Sequence, residues 1–365
     1  MHAMTAAPSF TVDLTPTPTS DERRRQILEA PGFGLHFSDH MFTGTWTPDA
    51  GWHDGQVHAY GPLSLDPAPA VLHYAPEIFA GMKAYAHADG SIWTFRPEAN
   101  AARFRRSARR LALPELPTEW FVGAVDETIR TDRGWVPSGG ERSLYVRPFM
   151  FASEVFLGVR PSQRVTFCVI TSPAGAYFTK GVKPVSIWLS TDYNRAGAGG
   201  TGAAKCGGNY AASLLPQREA AEQGCEQVAF LDSVEHTWVE ELGGMNLYFV
   251  FDDGSIVTPE LSGTILEGIT RSSILTLAED LGHKVEERRV SIEEWRDGVA
   301  SGRIAEVFAC GTAAVLTPVG TLKWDGGQVG TGEQAGAVTL SIRDQLLDVQ
   351  YGRAEDPHHW MHRVC

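Results

Sequence analysis

Residues 197 to 216 read GAGGTGAAKCGGNYAASLLP, with one lysine, Lys205, set among glycines at 197, 199, 200, 202, 207 and 208. Glycine on both sides leaves an amine open to attack a carbonyl carbon. Apolar surroundings lower an ammonium from its ordinary pKa of ~10.4, which frees the lone pair. A lysine so placed can form an imine. Two other readings compete. Gly197, Gly199 and Gly202 satisfy G-x-G-x-x-G, but that fingerprint turns a strand directly into a helix. Here STDYNRA precedes the first glycine and AAKCGG follows the third. The other alternative is a mobile surface loop with a solvated lysine, which holds if nothing else in the chain needs the amine.

The rest of the sequence does need it. An imine-forming lysine most often serves pyridoxal phosphate, which also requires a phosphate cradle, a carboxylate for the pyridinium nitrogen and a donor at the phenolic oxygen. Tyr210 stands five positions beyond Lys205, where a helix is expected to start. VEELGGMN offers Glu240 and Glu241 on an expected strand, where only one of two neighbours can face a given side. LEGITRSS puts Ile269 and Thr270 at the expected start of another helix, whose free N–H groups favour a phosphate. ACGTAA adds a Gly-Thr turn at Thr312.

These groups must be positioned by a chain of 365 residues, long enough for two domains. The net charge of −13 disfavours nucleic acid or an anionic membrane as partner. Five scattered cysteines without a C-x-x-C speak for a reducing cytoplasm rather than a disulfide framework or structural zinc. His359 and His362 form H-x-x-H without a carboxylate at helical spacing, so no metal is expected. No run approaches a membrane span.

Residues 1–20 are Thr/Pro-rich and read as a flexible arm. A first domain is expected over 21–171, a Gly/Pro-rich linker over 172–184, and a second domain over 185–365. Strands are expected in FGLHFSDHMFTGTW, HAYGPLSLD, SLYVRPFMFASE, RVTFCVIT, VSIWLS, QVAFLDS, TWVEELGGMNLYFVF and AEVFACG. The last long strand is expected to turn at Asp252-Asp253-Gly254. Helices are expected from Pro97, over 118–132, from about Asn209, over the TRSSILTLAEDLG and SIEEWRDGVASG segments, and within 335–349. Pro216 inside the third of these demands a kink or a late start. Helices and strands mix without strict alternation, an α/β (mixed α+β) pattern.

The strings LHYAPEIFAGMKAY, FRPEANAARF, YVRPF, AAKCGGNYAASL, EELGGMN, EGITR and CGTAAVLTPV occur in that order. As a set, from about Phe33 onward, they resemble the branched-chain amino acid aminotransferases, pyridoxal phosphate enzymes of fold type IV. The resemblance implies a smaller N-terminal α/β domain and a larger C-terminal pseudo-barrel domain. It implies Lys205 as the imine lysine, Glu241 at the pyridine nitrogen, and Tyr210 at the phenolic oxygen. Arg103, Ile269, Thr270 and Thr312 would take the phosphate, with Arg96 structural. Tyr74, Phe79, Tyr145, Arg147, Thr312 and Ala313 would line the substrate pocket.

An apolar wall with a guanidinium and hydroxyls at its edge would admit both a branched side chain and glutamate's carboxylate. The implied reaction moves an amino group between L-leucine, L-isoleucine or L-valine and 2-oxoglutarate, in a homodimer. D-amino acid aminotransferases and aminodeoxychorismate lyases share fold and cofactor and are the nearest alternatives; a nicotinamide oxidoreductase is a remote one. The chain departs from the usual Phe-Glu-Gly with Phe79-Ala80-Gly81, and it carries Ala314-Val315-Leu316-Thr317 where mammalian relatives have a redox C-x-x-C.

Overall fold

The computed structural model describes residues 8–176 and 181–365. The chain divides into two compact units, Met1–Tyr177 with Val349–Cys365, and Phe178–Asp348.

The first unit is built on one sheet of β1 (Thr11–Val12), β2 (His40–Thr47), β3 (Gly51–Ala59), β4 (Glu77–Phe79), β5 (Met82–Ala86), β6 (Ile92–Phe95), β7 (Ser143–Ala152) and β8 (Val165–Ala174). Its order is β1-β3-β2-β8-β7-β5-β6, with β4 beside β7 and a final strand, Met361–Arg363, beside β6. Short helices α1 (Asp21–Glu29) and α2 (Ala70–Tyr74) lie in the connections. Helices α3 (Pro97–Arg110) and α4 (Thr118–Thr131) pack on the sheet through Phe104, Phe121 and Phe167, all buried, with ring centroids 5.3–6.3 Å apart. Each such side chain contributes roughly 1.5–3 kcal/mol by leaving water.

Three expectations for this unit need correction. The arm is ordered from Phe10, whose ring lies 4.8 Å from Phe42 and 5.1 Å from Trp120, while β1 pairs with β3. Burying that aromatic anchor offsets the entropy of ordering the segment; residues 1–7 lie outside the described residues. The 172–184 linker begins later than expected, because β8 continues to Ala174 in full register with β7; residues 177–180 lie outside the described residues. Residues 61–66 of the expected HAYGPLSLD strand are not extended into the sheet, since β3 ends at Ala59.

In the second unit, β9 (Val185–Leu189), β10 (Gln227–Leu231), β11 (Val239–Leu242) and β12 (Asn246–Phe251) join β13 (Ile256–Thr258), β14 (Val285–Glu287), β15 (Ile304–Gly311), β16 (Val315–Trp324) and β17 (Gly327–Gly330). The order β11-β10-β9-β16-β15-β12 returns to its start, because Glu241 of β11 pairs with Asn246 of β12. Six strands therefore close into a ring, the pseudo-barrel the family resemblance implies. The sequence pattern runs β11 and β12 together as one strand; Gly243-Gly244 turns the chain between them.

Helix α5 (Gly207–Ala211) stops short and α6 (Leu214–Glu222) starts afresh, which leaves Pro216 in a first turn where its missing N–H costs nothing. Along β12, Leu247 and Phe249 meet Trp295 of α8 (Ile292–Ser301), whereas Tyr248 donates to the Arg271 carbonyl of α7 (Ile269–Asp280). Asn246 shares the α7 side by the two-residue alternation of a strand. Helix α9 (Ala337–Gln350) carries the chain out of this unit, and Val349–Cys365 belongs with the first. The second unit is thus not the larger one, and residues 185–365 do not form one body.

Candidate active site

The glycines around Lys205 have a packing reason. A Cβ on Gly202 would lie 2.2 Å from the Thr264 carbonyl oxygen, and one on Gly200 would lie 2.8 Å from that of Gly197. The backbone folds onto itself and onto the 264 segment more closely than any side chain permits. Asn209 fastens the turn, its Nδ2 donating to Thr201 (2.9 Å) and Ala204 (2.8 Å). No helix follows Gly202 directly, since α5 begins only at Gly207. A pyrophosphate-binding strand–turn–helix is therefore not formed. Lys205 is half-buried, and its Nζ lies 2.5 Å from the Tyr210 hydroxyl at the other end of that turn.

The two neighbouring carboxylates part company on β11. Glu240 accepts a short hydrogen bond from the Thr264 hydroxyl, and burial raises its pKa. Glu241 faces the other way. It accepts from the Leu266 N–H at 2.7 Å and the Asn246 amide at 3.2 Å, and Arg195 Nη2 stands 2.6 Å from its Oε1. Burial raises Glu241 to about 7, opposed by the charge of Arg195, the Leu266 N–H and the charge of Lys205. The acid that senses the lysine is thus Glu241.

Beside it begins α7. Gly268 precedes the helix without any side-chain cap, so the first N–H groups, Ile269 and Thr270 among them, are open to an anion. A Cβ at Gly268 would lie 2.2 Å from Asn246 Oδ1, so a side chain there would displace Asn246. Thr312 and Ala313 sit in the tight turn between β15 and β16, which Val315 completes at φ 61, a rare value for a β-branched residue. The turn lies against the 243–245 segment, with a Gly311 Cβ position 3.3 Å from Met245, and a Gly244 Cβ position would in turn lie 3.7 Å from the Tyr210 ring.

The remaining candidates belong to the first unit. Tyr145 and Arg147 alternate on one face of β7, and Phe79 pairs with Phe149 on the same strand. Arg147 Nη2 donates to the Tyr145 hydroxyl at 3.0 Å, and its guanidinium stands 4.8 Å from the Phe79 ring centre. Tyr145 Oη fills the space that a Gly81 side chain would need, 2.1 Å from its Cβ position. Ala80, in place of the usual glutamate, is 1% exposed and fixed to Pro148 by a 2.7 Å backbone bond. Arg103 is buried on α3 and donates to Asn100 at 3.1 Å, whereas Arg96 stacks over Trp360. Tyr74 stands apart from the Phe79–Tyr145–Arg147 group: it is 48% exposed and its hydroxyl donates to the Leu157 carbonyl at 2.5 Å.

Sequence reasoning missed Arg195, Asn246 and Gly268. A buried carboxylate must have a countercharge and hydrogen-bond donors, and that requirement was the available signal. His362, of the H-x-x-H pair, is engaged by Asp126 at 2.8 Å. Cys168, Cys206, Cys225 and Cys310 are buried as free thiols.

A closed ring of strands with an amine on a glycine loop, a phenol on the short helix α5 and a buried acid on β11 defines a class of protein, and known proteins agree. Residues 77–322 match the family described as amino-transferase class IV, and the chain belongs to that family. It is 60% identical over 359 residues to the probable branched-chain-amino-acid aminotransferase of Streptomyces coelicolor, covering 97% of this chain and 99% of that one. It is 55% identical over 360 residues to the branched-chain-amino-acid aminotransferase of Mycolicibacterium smegmatis, covering 97% and 98%. Its fold is similar to that of the T.th. branched-chain amino acid aminotransferase with pyridoxamine 5'-phosphate, with a TM-score of 0.74 and 31% identity, covering 88% of this chain and 98% of that one.

Proposed function

We infer that this chain transfers the amino group between L-leucine, L-isoleucine or L-valine and 2-oxoglutarate, with pyridoxal 5'-phosphate as cofactor. The reading rests on one observation above the rest: an amine 2.5 Å from a phenol, beside a buried acid that senses the amine's charge. That donor set fits the cofactor. The amine matches its aldehyde, the acid its ring nitrogen, the phenol its phenolic oxygen, and the uncapped start of α7 its phosphate. When bound, the cofactor supplies an aldehyde for amines and a ring that draws electrons from the substrate's α-carbon.

Each residue then has a definite task. Lys205 would hold the cofactor through its amine and would take up and return the substrate's α-proton on Nζ. Tyr210 holds the amine in reach through its hydroxyl. Glu241, with the charge of Arg195 beside it, keeps a proton on the ring nitrogen. The Ile269 and Thr270 N–H groups and Thr312 would take the phosphate, a role that the family resemblance gives to Arg103 as well.

Phe79 and the Tyr145 ring would provide an apolar surface for a branched side chain, with Tyr74 outside that group, and Arg147 would pair with the second carboxylate of glutamate or 2-oxoglutarate. Backbone N–H groups at Thr312 and Ala313 take the substrate's α-carboxylate. The working form is a cytoplasmic homodimer; no helix among the described residues is long and apolar enough to cross a membrane.

Replacing Lys205 with alanine tests the assignment. Turnover and the label fixed to position 205 by borohydride should both vanish, and wild-type activity in that variant would overturn the reading.

A further inference from the structure

We propose that Arg195 is a positioning residue that ties the Lys205 loop and the Glu241 carboxyl into one unit, an inference that rests on the functional reading above. Arg195 follows β9, ten positions before Lys205, and its side chain is 3% exposed. Its Nη2 lies 2.8 Å from the Gly202 carbonyl oxygen, 2.5 Å from that of Thr264 and 2.6 Å from Glu241 Oε1. Three segments distant in the chain therefore meet at one nitrogen: the glycine loop, the 264–266 stretch and β11.

Hydrogen accounting separates two roles. Nη2 carries two hydrogens. The two carbonyls take them, while Glu241 receives its own hydrogen bonds from the Leu266 N–H and the Asn246 amide. Arg195 thus gives the loop directional bonds and gives the acid a nearby positive charge. The loop bond matters because Gly202 presses on Thr264 at a distance only glycine allows, and Ala204 N–H closes back on Thr201 at 2.9 Å. A displacement at Gly202 passes through that turn to Lys205. The charge matters because it adds to that of Lys205, which favours the ionised form of Glu241, against Glu240, which opposes it. Cys310 also lies within range of the carboxyl. A lysine at 195 would keep the charge, but its side chain is one atom shorter, so its ammonium would not reach the place of Nη2 between the two carbonyls.

The two roles are tested separately with Arg195→Met, Arg195→Lys and Glu241→Gln. In cofactor-free protein, hydrogen exchange of the peptide spanning residues 200–206 should quicken about tenfold or more in R195M and partly in R195K, with α4 unchanged. Wild-type exchange in both would overturn the loop role. Pyridoxal phosphate affinity, measured by equilibrium dialysis from pH 6 to 9, should fall about tenfold or more in R195M and by clearly less when R195M is added to E241Q, where only the loop role is left to lose.

R195K should keep the wild-type pH dependence of that affinity. Equal losses from R195M in both backgrounds would overturn the link to Glu241. If R195M does not fold, R195K alone decides: faster loop exchange with an unchanged pH profile supports the proposal, and a shifted profile with unchanged exchange refutes it. The exchange measurement needs no cofactor, so a failure of the functional reading, seen as no borohydride label on wild-type Lys205, is told apart from a failure of this one.

Discussion

Glu241 faces Asn246 across the strand pairing that closes the ring of the second unit, and the Asn246 amide donates to its carboxyl over 3.2 Å. The same amide donates to the Leu266 carbonyl at 3.1 Å, and its oxygen occupies the space beside Gly268. The residue that completes the barrel therefore also orients the acid and shapes the start of α7.

A methyl group at 268 should disturb all three. Gly268→Ala must push Asn246 away from a 2.2 Å contact, an overpacking change of about 1–3 kcal/mol. Thermal unfolding of the cofactor-free protein should show the lost stability, and equilibrium dialysis should show weaker pyridoxal phosphate binding. A variant unchanged in both would show that Asn246 has room to move.

The buried acid should leave a signature in stability against pH. Burial holds Glu241 at about 7, against an ordinary 4.5, so between those values the native chain binds a proton that the unfolded chain has released. Stability from this group is then complete below about 4.5 and is lost as pH rises through about 7, by an amount on the order of 3 kcal/mol. Urea unfolding of cofactor-free wild type should show this decline relative to Glu241→Gln. Parallel pH profiles for the two proteins would contradict it.

Arg147 should discriminate between the two substrate types. Its guanidinium is held by Tyr145 and Phe79, and a hydrogen bond to a charged group contributes ~1.5–3 kcal/mol. Arg147→Met should raise KM for 2-oxoglutarate roughly tenfold or more and affect leucine far less. Steady-state kinetics with both substrates check this, and an equal rise for the two would assign the arginine a purely structural role.

Tyr210 should matter through its oxygen alone. Tyr210→Phe keeps the ring that faces Gly244 but removes the partner 2.5 Å from Lys205. A fall in kcat of about 10²-fold is expected, within the usual range for a positioned proton-handling group. Near-normal turnover would leave the phenol without a part in the reaction.

Much of this was legible in local sequence. Pro97 opens α3, and the segments expected to be helical form α4, α7 and α8. Lys205, Tyr210 and the Glu240–Glu241 pair stood out as candidates because their chemistry constrains residue type and spacing, while the choice of Glu241 within the pair came from the family resemblance. Arg195 was not, since its three partners lie in separate segments and only the closed ring brings them together. The Gly243-Gly244 turn was hidden because the residues on both sides are buried, so one continuous apolar run fits as well as two strands. The ordered arm escaped notice because a single aromatic, Phe10, anchors an otherwise polar stretch.

The strand Met361–Arg363 lies along β6, with the Ile92 N–H donating to the Cys365 carbonyl at 2.8 Å and the Val364 N–H donating to that of Ile92 at 2.8 Å. Synthesis runs the other way: the ribosome must finish the entire barrel before it delivers the segment that covers this edge. Until then β6 offers unpaired backbone to any neighbouring nascent chain. A chaperone, or simply rapid completion of translation, would have its greatest effect in that interval.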